Sequence, residues 1–146
     1  AAGVAAASYP VYFSMPYRLI VWPLVVGAIA HGIRWWAMTE WGWPLELGAF
    51  VACLLVGVVL APVARRWHIP FAGIGFAAVV SLVPGVFIFR AVDAVGALPF
   101  GGTSGELLGG LADGVTALLV VAAMAVGLAI PLRLYDGIRR VRNGQP

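Results

Sequence analysis

"FVACLLVGVVLAPVARRWHIP", residues 50–70, decides the architecture. The run from Leu47 to Ala64 carries no charge and ends directly in Arg65 and Arg66. A helix of about 20 mostly apolar residues crosses roughly 30 Å of hydrocarbon, and cationic side chains at its end sit at the polar boundary. The stretch therefore predicts a transmembrane helix, and its neighbours on both sides repeat the pattern.

Five such stretches follow one another. Ala1 to Met15 is short and interrupted by Pro10, which reads as a chain that begins partway through a helix. The others run from Leu19 to Met38, Leu47 to Ala64, Phe71 to Val92 and Leu107 to Leu134. Of the 146 residues, 62% are hydrophobic and 10% charged, a balance that ordinary soluble domains do not show. The prediction is a single all-α, polytopic transmembrane domain over residues 1–146, with the fourth helix broken at Pro84-Gly85.

All nine basic residues are arginines and the formal charge is +3. They stand at the ends of apolar runs, so they read as anchors against membrane lipid rather than as a nucleic-acid surface. Cys53 is the single cysteine; it predicts neither a disulfide nor a cysteine metal motif, and a small packing role suits it. No cofactor or metal is called for, and no Ser-His or paired-Asp constellation at matched depth supports an intramembrane enzyme.

Charge fixes the expected orientation. Arg18, the Arg65-Arg66 pair, and Arg133, Arg139, Arg140 and Arg142 fall on one side of five crossings, while Glu40, Glu46, Asp93 and Glu106 fall on the other. Because cytoplasmic loops carry the arginine excess, the C-terminus is expected in the cytoplasm and the N-terminus outside. Trp35, Trp36, Trp41 and Trp43 then form an outer aromatic belt, with Trp67 at the inner one. "GALPFGGTSGE", residues 96–106, reads as a flexible turn.

Polar groups inside the membrane are the candidates for function. In "GAIAHGIRWW", residues 27–36, Gly27, His31 and Arg34 share one face by helical spacing and are expected to point into the bundle. Trp22, Val26, Ile29, Ile33 and Trp36 are expected to face lipid. His31 lies on the order of 20 Å from the inner end of its helix, and Pro84 roughly 24 Å along its own. Broken helix and histidine are thus expected at similar depth.

Pro84 lacks an amide hydrogen and Gly85 lets the chain turn, so the freed backbone groups can line a cavity. Arg34 suits a carboxylate through its planar fork, His31 can titrate near neutral pH, and Ser81 and Thr116 add hydroxyls. The simpler roles are snorkelling for Arg34, an interhelical hydrogen bond for His31 and a plain kink at the Pro-Gly pair. Arg90 is expected to pair with Asp93 at i and i+3, and Asp113 to favour the start of its helix electrostatically.

The succession "SYPVYFSMPYR", "GAIAHGIRWW", "FVACLLVGVVLAPVARRWHIP", "SLVPGVFIFR" and "AVGLAIPLRLYDG" resembles the threonine/serine exporter family over nearly the whole chain. It is most similar to the C-terminal membrane half of that family. That half is fused behind an N-terminal half or stands as the small subunit of a two-component exporter, a succinate exporter among them. His31, Gly32 and Arg34 match the small-subunit type. The family's Pro-Leu-x-Pro-Gly motif has Ser81 in place of its first proline, which implies a milder break.

The resemblance implies export of a small carboxylate solute across the bacterial inner membrane, driven by the proton-motive force. It also implies a partner: the other transporter half with its hydrolase-like region, as a separate subunit or fused chain. The sequence leaves open whether the solute is an amino acid or a dicarboxylate, and whether identical chains associate. The competing reading is a structural membrane subunit with no solute pathway.

Overall fold

The computed structural model describes the backbone of residues 17–142 and the side-chain burial of residues 20–138; the expected stretch Ala1 to Met15 lies outside the described residues. The elements are α1 (Tyr17–Glu40), α2 (Leu45–Arg66), α3 (Phe71–Val79) with a 3-10 turn at Val80–Leu82, α4 (Gly85–Ala97) with a 3-10 turn at Leu98–Phe100, and α5 (Ser104–Arg142). Three helices are long and apolar enough to span: Ile20–Glu40, Leu45–Arg66 and Ser104–Ile138. A further candidate, Phe71–Leu82 with Gly85–Phe100, is bent by 70° at its break. The chain is an all-α, polytopic membrane protein, as the apolar runs predict.

α2 is the hub. Ala49, Ala52, Cys53, Val56, Leu60, Ala61 and Ala64 on it are almost fully buried, and α1, α3 and α5 all pack around it. Small residues bring the backbones together, which is how helices associate where hydrophobic burial gives little preference over lipid. A Cβ added at Gly127 of α5 would lie 2.7 Å from the Phe50 carbonyl oxygen and 3.0 Å from Cys53 Cβ. One added at Gly57 would lie 2.9 Å from Pro131 Cγ. Pro131 is thus a packing residue inside a continuous α5, and the Arg65–Asp136 ion pair joins the two helices further along.

These pairings make α2 and α5 parallel. With Gly57 opposite Pro131, the start of α2 at Leu45 is level with about residue 119 of α5. Roughly 15 residues of α5, about 22 Å, precede that level. α4 packs there as the antiparallel arm of a hairpin, with Ala94 against Gly110 and Ala91 against Gly114. The link is more ordered than its Gly and Ser content predicts. After the 3-10 turn, Gly101 takes a left-handed φ of 91° and Thr103 and Glu106 form a reciprocal capping box. Thr103 N–H donates to Glu106 Oε2 at 2.7 Å, and Glu106 N–H to Thr103 Oγ1 at 3.3 Å. The T-x-x-E spacing carried that signal.

Three further expectations are corrected. The buried stripe of α1 is Pro23, Val26, Gly27, Ala30 and Ala37. Val26 therefore faces the bundle and Ile33 is half-buried, while Trp22, Ile29 and Trp36 are exposed as expected. Arg90 and Asp93 form no salt bridge; among the described residues the ion pair is Arg65–Asp136. Asp113 sits well inside α5, which begins at Ser104, beyond the first turn where a helix terminus favours a carboxylate.

Candidate functional site at the helix break

The break is an inverse γ-turn centred on Pro84. Pro84 has φ −79° and ψ 56°, and Gly85 N–H donates to the Val83 carbonyl at 2.8 Å, the i to i+2 bond of that turn. Proline produces it twice over: it offers no N–H to the turn behind it, and its ring disfavours helical geometry in the residue ahead, where Val83 takes ψ 130°. The Pro84 carbonyl then accepts from Phe87 and Ile88 and starts α4.

Gly85 plays a different part from the one expected. Its φ is not positive, so the turn does not require a glycine. A Cβ there would meet nothing within 4 Å, so the residue leaves open space beside the backbone of the break.

Arg34 closes the gap from the side. Its Nη1 donates to the Leu82 carbonyl oxygen at 2.8 Å across 48 residues of sequence, supplying a donor to the carbonyl that precedes the turn. Its stem lies over α2 at Gly48, where an added Cβ would come within 3.3 Å of Arg34 Cγ. The guanidinium is half-buried and has no carboxylate within salt-bridge distance among the described residues. A half-buried cation without a counter-ion incurs a desolvation cost. The carbonyl it holds is the last of the 3-10 turn Val80–Leu82, the end of a helical segment that carries partial negative charge.

The remaining candidates divide. Gly27 is buried on the same stripe of α1. Pro84 is buried, and Ser81, in the turn before it, has a buried Oγ with no hydrogen-bond partner. His31 is exposed; at 100° per residue it lies about a quarter-turn from the centre of the buried stripe, so it is not drawn into the bundle beside Gly27. Thr116 bonds within its own helix, donating to the Ala112 carbonyl at 3.0 Å. The structure therefore brings Arg34, Ser81, Pro84 and Gly85 to one break and leaves His31 on a flank. Sequence reasoning missed Gly48, for which a glycine near a helix start gives only a weak signal.

The α4–α5 hairpin offers two further cavities. One, of about 500 Å³, is apolar and includes Ile88, Val92, Val95, Leu111, Val115 and Leu118. The other, of about 240 Å³, gathers Arg90, Asp93, Glu106 and Asp113. Residues 88, 92 and 95 and residues 90, 93 and 97 occupy opposite arcs of α4 at helical spacing, so the hairpin has one apolar and one charged side.

With this geometry in place, comparison with known proteins supplies the family. The family model described as "Threonine/Serine exporter, ThrE" matches residues 1–133. The chain belongs to the threonine/serine exporter family. The match ends at Arg133, inside α5, so it takes in both sides of the Pro84 break and the closest α2–α5 approaches at Gly127 and Pro131 of this exporter-family chain. No solved structure matches the chain.

Proposed function

We propose that this chain is the membrane subunit of a secondary transporter that exports a small carboxylate-bearing metabolite, threonine or serine in the first instance. Arg34 is the carboxylate's partner. One observation carries the reading: a half-buried guanidinium without a counter-ion among the described residues caps the last carbonyl before a helix break. An incoming carboxylate would supply the missing charge and meet the N-terminus of α4 on the far side, an arrangement that broken-helix transporters use for anionic groups. A succinate-like solute carries the same group and competes for the same site.

Coupling to the proton-motive force is part of the proposal. His31 stands one turn from Arg34 on α1, and its exposure supports a role in proton access. The expected setting is a bacterial inner membrane with the C-terminus in the cytoplasm, which the Arg65-Arg66 pair at the end of α2 supports. α4 has no buried residue and turns Val86, Phe89 and Val92 outward. That leaves a face for lipid and for the second transporter half.

The experiment is counterflow in proteoliposomes that hold the full-length transporter with any co-purifying subunit, using labelled threonine and labelled succinate with and without an imposed proton gradient. Uptake of either solute that stops in Arg34→Ala and responds to the gradient is the expected result. Absence of exchange from a folded preparation would favour a structural subunit without a solute pathway. Gradient-independent exchange would remove the proton coupling alone.

A further inference from the structure

Ser81 occupies the 3-10 turn Val80–Leu82 just before the break, one residue ahead of the carbonyl that Arg34 holds. Its Oγ is buried and has no hydrogen-bond partner among the described residues. A helical hydroxyl ordinarily bonds the carbonyl one turn back, as Thr116 does with Ala112. Buried polar groups are almost always paired. A buried hydroxyl without its bond, one residue ahead of the carbonyl that Arg34 holds, is therefore a donor and an acceptor held ready.

We infer that Ser81 determines specificity within the carboxylate site proposed above, on which this inference rests, and that its hydroxyl reads a hydroxyl group on the solute. A short solute anchored by its carboxylate at Arg34 places its next polar group near the neighbouring residues of the break. An ammonium group is a poor match for Ser81: one neutral hydroxyl does not compensate a buried cation, and Arg34 repels it. A solute hydroxyl is neutral and both donates and accepts, which is what the Ser81 hydroxyl lacks. The feature that Ser81 reads is then a hydroxyl on a short carboxylate-bearing solute.

Because Ser81 Oγ is shut off from solvent in this conformation, it meets the solute when the segment between α3 and α4 shifts. The γ-turn at Pro84 is the point at which that segment can yield without unmaking either helix.

The test compares threonine with 2-aminobutyrate, which lacks only the hydroxyl, and includes succinate, in proteoliposomes of the full-length transporter with any co-purifying subunit. A site built around a hydroxyl strongly rejects the analogue that lacks it, so the wild type should favour threonine by about tenfold or more in KM. Ser81→Ala should raise the KM for threonine towards that for 2-aminobutyrate and leave the latter unchanged, while Ser81→Thr keeps the preference. An unfolding midpoint of Ser81→Ala at or above that of the wild type would show that the variant is folded.

Equal losses for both amino acids in Ser81→Ala, or an undiminished preference, overturn the assignment of Ser81. Transport of succinate without transport of threonine overturns it as well, while leaving the carboxylate site at Arg34 standing. No transport of any of the three by the wild type overturns both.

Discussion

The Arg34 guanidinium donates to the Leu82 carbonyl oxygen at 2.8 Å, joining α1 to the last turn before the Pro84 break. The bond connects the two features that make this chain more than a bundle of apolar helices. It satisfies a carbonyl beside the break, and it holds in place a cation that no carboxylate among the described residues neutralises.

Replacing Arg34 separates these roles. Arg34→Ala leaves the Leu82 carbonyl unpaired, a loss of about 1–3 kcal/mol in stability, and is expected to abolish solute movement. Arg34→Lys keeps the charge without the fork and should retain stability better than transport. Thermal unfolding in detergent and counterflow measure the two; wild-type transport by Arg34→Ala would take Arg34 out of the site.

Pro84→Ala returns an N–H to the chain and removes the ring that enforces the turn, whose cost inside a helix is about 3 kcal/mol. The 70° bend should relax, with an equal or higher unfolding midpoint and slower transport. Gly85→Val tests the space beside the break, because nothing lies within 4 Å of the added Cβ. It should fold normally and block the solute; unchanged transport in Gly85→Val would place the pathway elsewhere.

Glycine replacements should sort by what their new atoms meet. Gly127→Ala drives a methyl against the Phe50 carbonyl, and Gly110→Ala drives one into Ala94, whose Cβ would be 2.2 Å away. Overpacking of this kind costs about 1–3 kcal/mol. Gly32→Ala and Gly109→Ala meet nothing within 4 Å and should leave the midpoint in place. Equal midpoints for all four variants would mean that these close approaches do not hold the bundle together.

The capping box at the start of α5 gives a local test. Thr103→Ala removes the acceptor for Glu106 N–H, and such caps are worth about 1 kcal/mol. Hydrogen exchange should quicken in the first turn of α5 and stay unchanged at the buried Val120. Unaltered exchange in that first turn would show that the cap contributes nothing there.

By itself the sequence determined the class of fold, the order of the spans and the position of the break. Apolar run length is a property of consecutive residues, so Leu47–Ala64 announces a span before any packing is known. Proline acts within its own turn, so Pro84 marks the break locally. The T-x-x-E cap is equally local, because Thr103 and Glu106 bond each other across three residues.

Only the tertiary structure decided which polar groups meet. Helical spacing put His31 and Arg34 on neighbouring arcs, but which arc faces protein depends on where Gly48, Ala49 and Cys53 of α2 pack. That rotation buries Val26, leaves His31 exposed and draws Arg34 alone to the break. The spacing rule fixes relative angles within one helix; the absolute angle comes from fitting several surfaces of small residues together at once. Leu82 could not be read from residue type, because the group that Arg34 holds is a backbone carbonyl that every residue possesses and only a broken helix leaves in need of a donor.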